Sequence, residues 1–488
     1  MSFIRKKKMK SGIICAYQVT SVWVPEKKQA RQISKYLGII NSDGEIIPKG
    51  TSLRGRPKKC PQQSEGVLKE KMVLDFGEAF FASECIKNSS IYNSGTELFK
   101  RYPELVALIA YRLCYSGPMY NCHLWLNGNI LSKEKNNQML TSQNISRIIA
   151  ALGEDELQRT FFKNYLQDGH SGSKNIIIDA TSLPNQINSD FNAWGYCDGH
   201  IEQQFRFHCV VDQENKKPLF YRYVAGNISD INALKATVDE LKSLGVEQSF
   251  VLLDAGYCSE ENLKILREYR ISFLTRLPAG RKLYKNMIIQ YGYSLENLEN
   301  FTTFGKRTLF IKKILLEDLY GEKGYVYLVL DPERKTKDIQ ALSKNYELNE
   351  IQKNTVEINY AFQSAGIFIL ISSKDIPVQE VMQAYYTRQS IEQIFGFSKN
   401  NLELLPIRHH TEETVKGYLF LQFLVLVVFI EIREKLSGKV TVEQAFMILR
   451  TLKCKIYESR WILQELTKKQ KQIFEAASII VPDLNPGI

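Results

Sequence analysis

Apolar and polar residues recur along this chain with a period that changes several times, and each change predicts a different element. From Ser11 to about Pro48 the pattern is β-rich, and Ile39-Ile40 and Ile46-Ile47 bracket Asp43-Gly44, a hairpin signal between apolar runs. Residues 70–165 turn helical in three pieces. Thr96 to Leu113 carries Leu98, Val106, Leu108 and Ile109; Tyr120 to Leu131 is short; Gln143 to Leu166 keeps Ile145, Ile148, Ile149, Leu152 and Leu157 at helical spacing.

From residue 174 the pattern becomes strand-like. Asn175-Ile176-Ile177-Ile178-Asp179 predicts a short apolar strand ending in an acid, and Phe205 to Asp212 and Pro218 to Ala225 predict two more. Ser229 or Asp230 supplies N-cap chemistry for an amphipathic helix over Ile231 to Leu244. Gln248 to Asp254 is a second strand ending in an acid, Ser259-Glu260-Glu261 opens a helix, and Ile271 to Leu274 is a fifth strand. Three strands, a helix, a strand, a helix and a strand are the order of a ribonuclease-H-like fold, and sites in such sheets gather at strand ends. Residues 281–365 interrupt this order with strand-like, lysine-bearing text. Gly366 to Ile371 closes the interruption, and Asp375 and Pro377 signal the start of a helix.

The expected fold class is therefore α/β. A ribonuclease-H-like catalytic core with a β-rich insertion is preceded by a basic β/helical N-terminal region and followed by a helical C-terminus. The expected divisions are a basic arm with a hairpin over 1–60, a helical region over 61–168 that beside such an arm suits either DNA binding or plain packing, and the first part of the core over 169–280. They continue with the insertion over 281–365, the second part of the core over 366–440, and a helical region over 441–488. Trp461, Ile462, Leu463 and Leu466 in the last of these suit either pairing of two protomers or simple packing.

Within the helix predicted after Pro377, Tyr385, Arg388, Glu392 and Lys399 share one face. At about 100° per residue they fall within an arc of about 60°. Val378 and Val381 lie on that face and Ile391 and Phe395 flank it, so the face is expected to be largely buried. A buried carboxylate needs a partner; a divalent metal shared with Asp179 and Asp254 would supply one. Taken singly, each strand-end acid suits a turn-former, and Arg388 with Glu392 suits an ordinary helix-surface ion pair.

Charge adds a partner class. Of 64 Lys/Arg and 53 Asp/Glu, residues 1–60 hold fourteen of the first and three of the second, so the rest of the chain balances at fifty of each. A basic arm on a neutral body suits a polyanion, most simply nucleic acid, or else a solvated tail. Arg54-Gly55-Arg56-Pro57-Lys58-Lys59 resembles an AT-hook core, and contact of Arg54, Arg56, Lys58 and Lys59 with DNA phosphates is the broader expectation. The nine cysteines include no CxxC pair, which suits a reducing compartment and argues against a zinc site. Lys6 to Val24 lacks a signal-peptide cleavage site, and Tyr418 to Ile430 is too short to span a bilayer, reading instead as a core helix. A soluble, cytoplasmic protein is expected, associated with the nucleoid when bound to DNA.

With these residues in place, the sequence resembles the insertion-sequence transposases of the DDE class, in the cut-and-paste branch with a β-rich insert. Tyr385-x2-Arg388-x3-Glu392-x6-Lys399 matches the family signature. Asp254-Ala255-Gly256-Tyr257 with Ser259-Glu260-Glu261-Asn262 looks like its second-aspartate motif, Asp179-Ala180-Thr181-Ser182 its first, and Gly226 to Asp230 the turn between them. The N-terminal arm, Ser116-Gly117-Pro118 and Leu405-Pro406-Ile407-Arg408 extend the likeness from residue 1 to about 435. Gly195 to His200 matches the family only loosely. The insert holds no tryptophan, so an aromatic that stacks on DNA there would be a Tyr or Phe.

The resemblance implies catalytic, metal-binding roles for Asp179, Asp254 and Glu392 on two Mg²⁺ ions, with Mn²⁺ able to substitute. Asp179 would bridge both ions, and Tyr385, Arg388 and Lys399 would contact DNA. It implies cleavage of double-stranded DNA at the element's ends and joining of the 3′-hydroxyls to target DNA, through a hairpin intermediate or without one. A homodimer in a synaptic complex would do this, with no membrane involved. A nuclease of the same fold and a non-catalytic DNA-binding relative are the competing readings.

Overall fold

The computed structural model describes residues 2–9, 11–25, 29–48, 70–115, 117–137, 140–170, 175–187, 192–197, 199–345, 355–402, 404–458 and 460–484. The chain divides into two compact units, Met1–Lys69 and Glu70–Ile488.

The first unit is a four-stranded antiparallel sheet of β1 (Ser2–Lys8), β2 (Ile14–Val24), β3 (Gln29–Ile40) and β4 (Ile46–Pro48), paired in that order. The β3–β4 hairpin turns where Asp43-Gly44 predicts it: the Asn41 and Glu45 backbones close the loop, and Gly44 takes φ +85°, a conformation glycine adopts without cost. All seven residues of β1 are exposed, among them Arg5, Lys6, Lys7 and Lys8. Arg54, Arg56, Lys58 and Lys59 lie outside the described residues.

The second unit begins with β5 (Glu70–Asp75) and is built on a ten-stranded mixed sheet. Its strands are β6 (Asn175–Pro184), β7 (Ala193–Cys197), β8 (His200–Asp212), β9 (Pro218–Ala225), β10 (Phe250–Leu253) and β11 (Ser272–Leu277). They continue with β12 (Phe301–Phe304), β13 (Arg307–Leu316), β14 (Gly324–Leu330) and β15 (Ile367–Ser372). The order is β12-β13-β14-β15-β11-β10-β6-β8-β7, with β9 also paired to β8. Only β6, β10 and β11 run parallel to one another; the other ladders are antiparallel. The apolar runs Ile176-Ile177-Ile178 and Phe250 to Leu253 are buried, as central parallel strands covered on both faces require.

Helices cover this sheet and merge with a helical layer in one continuous apolar core. At its centre lies the Glu412–Leu436 helix, opened by Thr411, whose side chain accepts from the Thr414 N–H. Among the described residues it alone is long and apolar enough to cross a membrane, yet 94% of its apolar stretch is buried inside the protein. It packs on the Ser142–Leu152 helix so closely that a Cβ at Gly417 would lie 1.7 Å from the Ile149 carbonyl oxygen.

Several expectations need correction. The C-terminal region is not helical throughout. Its helices Val442–Leu449 and Lys468–Ala476 flank β16 (Lys453–Tyr457) and β17 (Trp461–Leu463), which form a three-stranded sheet with β5. Cys454 and Ile456 are buried at period 2, and Leu74 of β5, far back in the chain, pairs with Cys454; no local pattern announces that partner.

The insert is β-rich only in its middle, because helices Lys282–Tyr291, Pro332–Asn345 and Val356–Ser364 flank β12–β14. Nor is it a separate sheet, since β14 pairs along β15 and so extends the central one. The helix expected over Thr96 to Leu113 breaks into Thr96–Arg101 and Leu105–Cys114 around Pro103, whose ring disfavours helical backbone at Tyr102. The Gln143–Leu166 helix breaks at Gly153.

Candidate active site

Two of the candidate acids are brought together by register. β6 and β10 run parallel, with Ile178 opposite Leu253, so Asp179 and Asp254 are the next residues along neighbouring strands. Paired residues of parallel strands project to the same face, and neighbouring strands lie about 4.8 Å apart. β10 ends there, so Asp254 does stand at a strand end. Asp179 does not: β6 runs on to Pro184 because β8 pairs along it, with Asp179 opposite Cys209. The expected strand end is therefore a strand middle that has lost one of its two neighbours.

The third acid comes from the far side of the insert. The helix predicted after Pro377 is two helices, Val378–Tyr386 and Gln389–Gly396, followed by a wider turn over Phe397–Asn401. Thr387 and Arg388 keep right-handed helical backbone at the junction, so Tyr385, Arg388 and Glu392 stay nearly on one face. The expectation that this face is largely buried holds for Tyr385, at 8% exposure, but Glu392 is exposed. It points to solvent because Ile391, Ile394 and Phe395 occupy the buried side of its short helix.

Arg388 joins the three acids. Its Nη1 lies 2.9 Å from Asp179 Oδ2 and 3.1 Å from Asp254 Oδ1, and its Nη2 lies 2.8 Å from Glu392 Oε1. The guanidinium packs 5.9 Å from the centre of the Tyr385 ring, a cation–π contact. Tyr385 is thus placed to orient Arg388. Lys399 lies half-buried in the wider turn and makes no ion pair with the three acids.

The electrostatics follow from burial. Burial pushes the Asp179 carboxyl up to about 7; Arg388 and the Ala180 N–H, which donates to Oδ1 at 2.8 Å, pull it down, while Asp254 and Glu392 push it further up. Burial would lower the pKa of Arg388, but the charges of Asp254, Asp179 and Glu392, together with Tyr385, more than offset that and raise it.

Beneath the acids lies a bracing layer in which Asp230, an N-cap candidate from sequence, takes a second role. Arg206 of β8 holds Asp230 at 2.7–2.8 Å. A Cβ on Gly256 would lie 2.7 Å from Asp230 Oδ2, so the turn after Asp254 passes close against this carboxylate. Burial, opposed by Arg206 and aided by Asp254, raises the Asp230 carboxyl. His208 is fully buried, and its Nδ1 lies 2.6 Å from the Tyr257 hydroxyl. Burial, first, and then Arg206 and Arg222 lower His208 to about 3, which keeps it neutral. Thr275 donates to the Asp254 carbonyl at 3.1 Å. The motif Asp254-Ala255-Gly256-Tyr257 is therefore braced from β8, β11 and the Asp230–Ser243 helix. The signal available in sequence was the acid placed just after Ser229, which also suits an N-cap.

The donor chemistry fits a hard cation. Two aspartate oxygens that contact one nitrogen at 2.9 and 3.1 Å are at most about 6 Å apart, and all three candidate ligands are carboxylates, which suits Mg²⁺ or Mn²⁺. Among the described residues no three His, Cys, Asp or Glu side chains are gathered at metal-binding spacing, and the three acids share the Arg388 guanidinium instead.

Fold and site define a class: a mixed α/β protein whose sheet and following helix present a trio of acids in the order Asp, Asp, Glu. The family model described as "Transposase DDE domain" matches residues 170–428, and the chain belongs to that family. It is a DNA transposase by that membership. Among solved structures it is similar to a piggyBac transposase synaptic complex with hairpin DNA, at 11% identity and a TM-score of 0.37, covering 82% of this chain and 69% of that one. It is also similar to a Drosophila P element transposase strand transfer complex, at 11% identity and a TM-score of 0.20, covering 76% of this chain and 77% of that one. No curated protein matches it.

Proposed function

We propose that this transposase cleaves phosphodiester bonds at the ends of its insertion element and joins the freed 3′-hydroxyls to target DNA, with Asp179, Asp254 and Glu392 as its catalytic acids. The observation that carries the reading is the convergence of these three side chains, 75 and 138 positions apart along the chain, on the single guanidinium of Arg388.

The strand order β9-β8-β6-β10-β11, with the first two ladders antiparallel and the last two parallel, supports a ribonuclease-H-like core. We divide the chain as its patterning suggests, into a basic arm, a helical DNA-binding region, a core split by an insert, and a C-terminal region.

Asp179, Asp254 and Glu392 would hold two Mg²⁺ ions, for which Mn²⁺ can substitute. When bound, such ions activate the attacking oxygen and stabilise the leaving one. Asp179 is anchored in the sheet and sets the position of the site. Asp254, on its braced turn, faces it, and the exposed Glu392 closes the site from the solvent side, where DNA would approach. Arg388 and Lys399 bind phosphates next to the cut, and Tyr385 keeps Arg388 in register. The basic residues of the N-terminal arm, Arg54, Arg56, Lys58 and Lys59 among them, bind element and target DNA. Two copies act together in a synaptic complex, in the cytoplasm.

The test is cleavage of a plasmid carrying the DNA that flanks this coding sequence, with Mg²⁺ or Mn²⁺. Glu392→Ala and Asp254→Ala are each expected to lower cutting and joining by at least about 100-fold. Wild-type-like cutting by either variant overturns the assignment.

A further inference from the structure

The fork made by Arg388 has a consequence for how the site is armed. Its Nη1 bridges Asp179 Oδ2 and Asp254 Oδ1 at 2.9 and 3.1 Å, and its Nη2 takes Glu392 Oε1 at 2.8 Å. An ion such as Mg²⁺ sits about 2.0–2.1 Å from its oxygen ligands. Placed on the same two aspartate oxygens, on the side that Nη1 occupies, it would lie within about 2 Å of that nitrogen. The guanidinium and a divalent cation are therefore alternatives for one set of lone pairs, and their charges repel at that separation.

We propose that Arg388 is a latch that couples DNA binding to metal loading. Without DNA it neutralises the three carboxylates and holds their metal affinity down. A DNA phosphate offers the guanidinium an equivalent bidentate partner, draws it off the acids and leaves them free for the metal. This rests on the reading of Asp179, Asp254 and Glu392 as metal ligands.

Three features favour the exchange. Glu392 and its contact with Nη2 are at the solvent-facing side of the cluster, where a phosphate arrives first. Arg388 sits at the junction of two helices, where its N–H donates to the Tyr385 carbonyl at 3.2 Å and its carbonyl accepts from the Ile391 N–H at 3.0 Å, so its backbone is held while its side chain exchanges partners. The Tyr385 ring supports the guanidinium through its face, a contact that survives a change of anionic partner. Linkage makes the coupling reciprocal: the factor by which DNA tightens metal binding is the factor by which metal tightens DNA binding. A transposase so built stays unarmed until a DNA phosphate reaches its acids.

The experiment is a titration of the full chain with Mn²⁺, followed by the paramagnetic signal of the free ion, alone and with a short linear DNA duplex. For the wild type the duplex is expected to tighten Mn²⁺ binding roughly ten-fold. Arg388→Gln is expected to bind Mn²⁺ about as tightly without DNA as the wild type does with it, and to gain nothing from the duplex. Arg388→Lys keeps the charge but offers one nitrogen in place of the two-nitrogen fork, and should fall in between.

Wild-type Mn²⁺ affinity that ignores the duplex overturns the latch, and this arm needs no variant to fold. So does unchanged affinity in Arg388→Gln, or an Arg388→Lys protein identical to wild type, which would leave only a general charge effect. Asp179→Asn separates the latch from the reading beneath it. If that variant loses Mn²⁺ while Arg388→Gln is unchanged, the latch alone fails; if it keeps wild-type Mn²⁺ affinity, the ligand assignment fails.

Discussion

Asp179 shows how much a single side chain's chemistry depends on its surroundings. Burial lifts its pKa from 3.8 to about 7, against the pull of Arg388. The folded chain therefore binds this proton more tightly than the unfolded chain. Between those two pH values the native state carries more protons, so stability falls as pH rises. The stabilisation is complete below about pH 4 and is lost as pH climbs through about 7. In metal-free buffer the wild type is expected to lose a few kcal/mol across this window. Asp179→Asn, which cannot ionise, should show a distinctly shallower decline. Urea denaturation at pH values spanning the window measures both slopes, and equal slopes would remove burial of Asp179 as the cause. The identity of this acid was legible in sequence, as the end of an apolar run. Its position mid-strand was not, because the pairing of β6 with β8 that extends the strand involves residues up to 36 positions away in the chain.

At the scale of elements, periodicity reported type well and partners poorly. The parallel strands β6 and β10, the hairpin at Asp43-Gly44 and the Glu412–Leu436 core helix all follow from local pattern. The β5–β16–β17 sheet does not, because its strands are short and β5 pairs with β16 from hundreds of residues away, although β16 and β17 are a local hairpin. Glycine in the long core helix carries information of the same hidden kind. Gly417 looks like a weak point in a helix, yet it is where the Ile149 carbonyl touches, 1.7 Å from the place a Cβ would occupy. Gly417→Ala would improve local helix propensity by about 1 kcal/mol, but the clash should outweigh it. A net destabilisation of about 2 kcal/mol or more is expected. A thermal melt decides the sign: a raised transition would mean that the two helices separate without cost.

For the whole molecule, the decisive quantity is the distribution of charge. Residues 1–60 carry an excess of eleven positive charges, and the first compact unit, Met1–Lys69, holds that arm. Each phosphate contact releases counterions, so the logarithm of DNA affinity falls with the logarithm of salt in proportion to the contacts made. A chain lacking residues 1–60 is expected to bind duplex DNA more weakly and with a clearly smaller salt slope. Binding measured by fluorescence anisotropy across a salt series tests this, and an unchanged slope would place the phosphate contacts elsewhere.

The sequence by itself determined which residues could do chemistry: the acids, the Tyr-Arg-Glu-Lys spacing, the basic arm and the order of strands and helices. These are properties of short windows, where side-chain type and period suffice. Only the tertiary structure decided that Asp179 and Asp254 are neighbours across a parallel ladder, that Glu392 meets them through Arg388, and that Tyr385 and the Arg206–Asp230 pair brace the arrangement. Those facts depend on which strands pair and how deeply each group is buried. Both are settled by packing the whole core at once, and no window of sequence contains it.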